Sequence, residues 1–477
     1  MTASCSSKSP ATAAPEVSPS AASPRRSTLI LRAGFQLLLA ASAFVFNVTL
    51  ERRFDGLGAF DQLDVIFDTD PNTRLGEFGS GAWRHRCFVH PLLRLVSLPI
   101  RGATTFADVA GITVAPPKAS RRSLALLVAP VCSALTAVVM FRVFLGAGFG
   151  DLAAATGAIL HQITFSQMMF GSIPDHFVLG GLGLSLVLLC GLVPPTSDRV
   201  GWLRWLAVGV FTSGVTITQI IPTCIMFASC CRCCGRGVKE TAKATALLGG
   251  LSVALALSIS SLLTFPIVGS SQLTPAAQAA GYAKFFPSRP LSHAFDVIAA
   301  LPNSIAPPPA RVVPDRRGDS NRYQIRFTLE SVRHPGRIAA VWMLLLVGAW
   351  LGLRSDAPVQ RALCLGSIAV VLYNLIFHAL WGKEWFLYSQ HWLAPMVFLM
   401  AAPLRDAGRY RLPVWGAAAI ALTLIASSNW FRIGEIVARL EAEPKSVVTT
   451  TQASEIRFEG GSPPPAALPG MDNGASH

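Results

Sequence analysis

Two carboxylates near the start of the chain have the residue type and spacing that catalysis or metal binding requires. Asp68 and Asp70 open a dense polar segment, FDTDPNTRLGEFGSGAWRHRCFVHPL, which follows the first long hydrophobic run. In an extended backbone, residues separated by one position point the same way, and Pro71 favours extended backbone at Asp70. Such a pair could bind a divalent cation or remove a proton from a substrate. A solvated acidic turn is the plainer interpretation of the same residues.

Cationic side chains follow the two carboxylates within the same segment. Arg74, Arg84 and Arg86 supply guanidinium groups, whose planar forks match the oxygens of phosphate. We therefore expect Arg74 and Arg86 to bind a phosphorylated substrate beside the carboxylates.

Two shorter motifs add an imidazole and another carboxylate. His90 precedes Pro91 at the entry to the next apolar segment; a histidine there is more often structural than catalytic, but it is also a candidate substrate contact. Asp175 lies in the turn GSIPDH between two apolar runs. A helix N-cap is the plain explanation of Asp175. The alternative is a metal ligand, with Mg²⁺ or Mn²⁺ as the cofactor.

The third polar stretch, HALWGKEWFLYSQHW, begins at His378. Its aromatic residues are typical of the belt that membrane proteins place at the lipid interface. The stretch also contains more polar groups than a belt needs, and we expect them to form the wall of a pocket for a lipid phosphate: Lys383, Glu384, Tyr388, Gln390 and His391.

The composition of the chain indicates which kind of structure carries these polar groups. Of 477 residues, 52% are hydrophobic and 14% are charged, whereas soluble domains carry about 25% charged residues. The apolar residues come in runs long enough to cross about 30 Å of hydrocarbon. These features predict an all-α, polytopic bundle of transmembrane helices. The formal net charge of +14 fits basic loops at a lipid surface, and we expect no nucleic acid partner, because no basic stripe alternates with aromatic residues outside the membrane.

The hydrophobic runs predict about eleven spans. They fall at residues 28–50, 123–145, 152–172, 176–193, 202–218, 219–232, 244–268, 336–353, 362–381, 390–404 and 412–429. Lys and Arg concentrate in five of the short connections, and an N-terminus in the cytoplasm puts all five on the inner side, as the positive-inside rule requires. We expect a multi-pass protein of the cell (inner) membrane with its C-terminus outside.

This topology divides the chain into three parts. Residues 1–27 form a disordered cytoplasmic arm, residues 28–430 the transmembrane domain, and residues 431–477 a short helix and a disordered tail. Two long segments of the domain, 51–122 and 269–335, lie on the outer side. Within the first, residues 89–109 are apolar but hold three charges, which are costly at mid-bilayer. We interpret them as a helix lying in the interface; a true span is the alternative.

The order of these motifs resembles the GT-C superfamily of polytopic glycosyltransferases, such as the protein mannosyltransferases and the aminoarabinose transferase of lipid A. Asp68-Thr69-Asp70 stands where those enzymes carry a first catalytic acid, and Asp175 where they carry a second. His90-Pro91-Leu92 resembles their H-P-P-L element, with one proline missing. The stretches FDTDP, GSIPDHF and WFLYSQHW are similar, more closely, to bacterial multi-pass membrane proteins of unassigned activity.

The resemblance implies an inverting transfer of a sugar from a polyprenyl phosphate to an envelope acceptor. Asp70, or Asp68, would act as general base, while Arg74, Arg86 and Lys383 would neutralise the departing phosphate. Asp175 would hold a metal, or orient the arginines if none is used. The partners would be the lipid-linked donor and the bilayer.

Two other classes of function remain open. The same charges would suit a transporter or flippase of a phosphorylated lipid or sugar, although no internal repeat supports this class. A non-catalytic membrane protein of envelope assembly is the third reading. No P-loop and no dinucleotide glycine motif occurs, so ATP-driven transport lacks support.

Overall fold

The computed structural model describes residues 26–61, 65–80, 89–111, 116–193, 195, 199–264, 290–314, 323–327, 335–382, 385–405 and 407–442. These residues are almost entirely helical, which confirms the all-α class. The helices, in chain order, are α1 Arg26–Gly56, α2 Pro71–Ser80, α3 Ser97–Val109, α4 Pro117–Leu126, α5 Val128–Gly146, α6 Asp151–Ile163, α7 Phe165–Phe170, α8 His176–Gly191, α9 Arg199–Val215, α10 Ile220–Cys233, α11 Val238–Thr264, α12 Pro290–Ala300, α13 Pro335–Leu353, α14 Pro358–Leu380, α15 Leu393–Arg405 and α16 Arg411–Ala442.

Six helical segments are long and apolar enough to cross a membrane, which supports the membrane assignment. They are Ser27–Gly56, Ala119–Gly146, Val238–Leu263, Pro335–Leu353, Pro358–Leu380 and Arg411–Ala442. Each coincides with one of the expected spans, and Ala119–Gly146 combines α4 and α5 across a single turn at Leu127. The last of them extends further than expected, because α16 continues without a break to Ala442.

The remaining expected spans are shorter helices. At 1.5 Å per residue, the 16 residues of α8 cover about 24 Å. The expected span 152–172 is interrupted at Thr164, which has extended backbone and whose hydroxyl accepts a hydrogen bond from the Gln167 amide. The expected spans 202–218 and 219–232 correspond to α9, which ends at Val215, and α10, which begins at Ile220.

Close helix packing requires glycine at one interface inside the bundle. A Cβ atom on Gly348 of α13 would lie 1.9 Å from the carbonyl oxygen of Leu399 in α15. Only a residue without a side chain allows two backbones to approach this closely, as is common between membrane helices.

The segment expected to lie in the interface forms a short 3-10 turn, Leu93–Val96, followed by α3. The 13 residues of α3 cover about 20 Å, too little to span the hydrocarbon. One face of α3 is buried through Ile100 and Thr104, while Leu98, Phe106 and Val109 are exposed. The length of α3 therefore disfavours the alternative of a true span, and its place in the interface stays a prediction.

A small sheet joins the two segments that we expect on the outer side. Strands β1 Ala310–Pro314 and β2 Tyr323–Phe327 pair antiparallel. Ile66 adds a parallel bridge to Ile325 of β2. Strand β2 therefore docks directly onto the backbone that leads into Asp68.

An aromatic cluster unites the three polar stretches that the sequence singled out. The Phe67 ring lies 4.6 Å from Phe327 and 4.8 Å from Phe386, measured between centroids. Phe170, just before the Asp175 turn, stacks on Phe386 at 5.5 Å. Segments far apart in sequence thus share one hydrophobic core beneath the candidate site.

Candidate functional site

The backbone of Asp70 contacts the side chain of Asp175. The Asp70 amide donates a hydrogen bond to Oδ2 of Asp175 at 3.3 Å. Asp70 also begins α2: its carbonyl accepts from the Arg74 amide at 3.0 Å, and Pro71 occupies the first helical position, where proline is favoured. The start of α2 thus places Asp70 against the turn that carries Asp175.

Arg74 lies one turn into α2, with only 1% of its side chain exposed. Its Nη1 donates to the Glu77 carboxylate, and its Nε lies 3.6 Å from Oδ1 of Asp175. Burial lowers the pKa of Arg74, but Glu77 and Asp175 more than offset this and raise the pKa above its ordinary value. Among the described residues, neither Nε nor Nη2 has a hydrogen-bond acceptor. Nε faces Asp175, and because a buried donor without an acceptor is costly, Nη2 suits an anionic oxygen.

Asp175 is the N-cap of α8, which confirms the plain explanation of this residue. Its Oδ1 accepts a hydrogen bond from the His176 amide at 2.6 Å and lies 2.5 Å from the His176 ring nitrogen Nδ1. Burial raises the pKa of Asp175, although Arg74 and the amides of His176 and Asp70 oppose that shift.

These contacts fit a divalent cation poorly. Both Asp175 oxygens face donors or a guanidinium group, and a cation prefers oxygens that are not already engaged by positive groups. In the described ranges, no group of three or more His, Cys, Asp or Glu side chains could hold a metal. The arrangement fits the alternative role, in which Asp175 orients Arg74; metal dependence remains a prediction.

His90 attaches its segment to the tip of the α9–α10 hairpin. Its Nδ1 lies 2.7 Å from the Val215 carbonyl oxygen, and the neighbouring backbone adds a bond from Leu92 to Gly214 at 2.8 Å. The His90 ring also meets the His176 ring edge-on, with centroids 4.2 Å apart. His90 therefore contacts the residue that binds Asp175, in addition to its anchoring role.

The third polar stretch lies behind this site. His391 is buried, and its Nδ1 lies 3.1 Å from Nε2 of His378. The Tyr388 ring stacks on the His378 ring, with centroids 4.2 Å apart. Phe177 touches both Tyr388 and His391, at 5.8 and 5.9 Å. The other predicted substrate contacts, Arg86, Lys383 and Glu384, lie outside the described residues.

No protein-family model and no curated protein sequence matches this chain.

Sequence reasoning missed three residues that complete the site. His176 adjoins Asp175 in the sequence, and Glu77 follows Arg74 at the i+3 spacing that pairs charges on a helix; both signals were present. Arg326 is different: its Nη2 lies 3.0 Å from Oδ1 of Asp68, although the two residues are 258 positions apart. Nothing in the sequence pattern marked Arg326.

Proposed function

We propose that this protein is a GT-C-type membrane glycosyltransferase, which moves a sugar from a polyprenyl-phosphate donor to an envelope acceptor on the extracytoplasmic side. One observation carries the proposal: the Asp70 segment meets the Asp175 turn around the buried Arg74. A base and an anion-binding cation are the two groups that transfer from a lipid phosphate requires.

The proposed topology has about eleven crossings of the cell (inner) membrane, with the N-terminus in the cytoplasm. The six long helices supply part of this number. The shorter helices would supply the other five crossings inside the bundle, where longer neighbours shield their ends: α6 with α7, α8, α9, α10 and α15. Basic residues in the connections support this orientation.

The proposed reaction is a single displacement. An acceptor hydroxyl attacks C1 of the sugar while its proton passes to the Asp70 carboxylate. The new C–O bond forms as the bond from C1 to the phosphate oxygen breaks, and the electron pair leaves with the polyprenyl phosphate, so the anomeric configuration inverts. A positioned base contributes roughly 10²–10⁴-fold. Arg74, assisted by Arg86 and Lys383, would stabilise the charge on the leaving phosphate.

The test is lipid-linked-glycan profiling of a strain that lacks the protein. We expect one lipid-linked sugar to accumulate and one envelope glycan to disappear, and the wild-type gene to restore both. Asp70→Asn keeps the side-chain shape and the hydrogen bond from the backbone amide to Asp175 but removes the base, so it should lower transfer at least about 100-fold. Arg311→Gln, an exposed change on β1, is the matched control and should restore the profile. An unchanged profile in the deleted strain, or full rescue by inserted Asp70→Asn protein, would refute the assignment.

A further inference from the structure

Two residues that lead into Asp70 adopt a backbone conformation that is uncommon for their type. Phe67 has φ +52° and Asp68 has φ +62°, in the left-handed region, which is rare for a bulky side chain. Such a conformation persists only when the surroundings hold it in place, and it is concentrated at functional sites.

Three successive residues of β2 hold this loop. The Phe67 amide donates to the Ile325 carbonyl at 3.0 Å, and the Ile325 amide donates to the Val65 carbonyl at 2.7 Å. Arg326 binds Oδ1 of Asp68 at 3.0 Å. Phe327 then stacks on the Phe67 ring. Backbone, charge and ring contacts therefore fix the loop from one strand.

The ion pair between Asp68 and Arg326 also bears on Asp70. The Arg326 guanidinium engages one of the Asp68 oxygens that would accept a proton. Asp70 lies two residues further on, and its backbone amide is bonded to Asp175. The contact that engages Asp68 therefore also fixes the backbone that carries Asp70.

We propose that β2 clamps the Phe67-Asp68 loop, with Arg326 as a positioning residue that acts through Asp68 to hold the backbone of Asp70 in place. The role given to Asp70 rests on the proposed function, whereas the clamp is a property of the fold. Its tests therefore need one readout that is independent of activity and one that depends on it.

Hydrogen exchange of the full-length protein in lipid nanodiscs supplies the first readout. Arg326→Gln and Asp68→Asn should each speed exchange of the Phe67, Thr69 and Asp70 amides by about tenfold, the change expected from losing one hydrogen bond to a charged group. Arg311 is the matched control, because it lies directly opposite Arg326 across the ribbon and is exposed. Equal exchange in Arg326→Gln and wild type, or the same increase in Arg311→Gln, would overturn the clamp.

A mutant cycle supplies the second readout. Arg326→Gln and Asp68→Asn should each lower kcat roughly 10- to 100-fold through misplacement of the base, with KM unchanged, and the double variant should lower it no further. In an Asp70→Asn background, Arg326→Gln should have no added effect, since no base remains to be positioned. Arg326→Lys should recover part of the loss, which a folding defect would not predict.

The outcomes distinguish the clamp from the proposed function. If Asp68→Asn abolishes transfer as completely as Asp70→Asn while Arg326→Gln is mild, Asp68 is itself a base and the inference is wrong. If exchange responds as expected but no glycan transfer exists to be measured, the clamp stands and the glycosyltransferase assignment fails.

Discussion

Helices at the periphery of the bundle bury few of their residues against the rest of the chain, whereas helices in its interior bury nearly all of theirs. Only 11% of the most apolar stretch of α1, and 6% of that of α16, is buried by the rest of the chain. These helices present exposed leucines and isoleucines on several sides, so lipid contact needs little more than apolar composition. In α8, nearly every residue is buried, so its position depends on contacts with particular neighbouring residues and not on apolar composition alone.

A buried hydrogen-bond network lies inside the bundle, and α1 joins it through the buried residue Asn47. Ser172, three residues before Asp175, donates to Oδ1 of Asn47 at 2.8 Å. Asn47 in turn donates to Ser133 at 2.9 Å, and Gln167 donates to the same hydroxyl at 2.8 Å. Buried polar groups are tolerated when they are paired in this way. We therefore expect substitutions in the interior, which positions the site, to be poorly tolerated. Substitutions at the periphery should be tolerated better.

The largest expected effect follows from removing the buried cation. Arg74→Met should destabilise the protein by about 3–5 kcal/mol, because it leaves the Glu77 and Asp175 carboxylates without their buried partner. The apparent free energy of unfolding in mixed micelles measures this change. The control is Arg32→Met on the lipid-facing α1, where Arg32 pairs with Asp151 at 2.7 Å but is 34% exposed; it should cost at most about 1 kcal/mol. Equal losses in the two variants would remove the distinction between interior and periphery.

The sequence predicted the peripheral helices well for a physical reason. An apolar run of more than about 18 residues is visible in the sequence because length and composition alone satisfy the bilayer. The interior helices are shorter and are broken at residues such as Thr164, since neighbouring helices rather than lipid receive their ends. Their boundaries depend on tertiary contacts, and hydrophobic periodicity does not report those.

In the candidate site, too, some features could be predicted from the sequence and others could not. The capping role of Asp175 followed from its place in a turn, whereas the contact of its side chain with the Asp70 backbone depends on tertiary packing. The Arg326–Asp68 pair was beyond prediction, because it depends on how a ribbon folds back over 258 residues. The buried state of Arg74 was equally hidden, since an arginine on a polar helix usually faces water.

A smaller effect should appear where two helices touch through glycine. Gly348→Ala would drive a Cβ atom into the Leu399 carbonyl, forcing α13 and α15 apart, and should cost about 1–3 kcal/mol of unfolding free energy. Gly416→Ala on α16 meets no atom within 4 Å and should be neutral or stabilise by up to about 1 kcal/mol, since alanine is the better helix former. A neutral Gly348→Ala would mean that the two helices separate without penalty.

The smallest effect concerns α3, which we expect to lie at the lipid surface. Phe106 is 71% exposed, so Phe106→Cys should change the unfolding free energy by less than about 0.5 kcal/mol. Its placement is testable by nitroxide labelling: a label at Phe106 should be more accessible to oxygen dissolved in lipid than a label at Arg101, the exposed charged position on the same helix. The reverse order, or equal access from water at both positions, would place α3 away from the membrane surface. Because both positions are exposed in the fold, only a lipid boundary along α3 would separate the two labels, and that boundary would fix the depth of the neighbouring site.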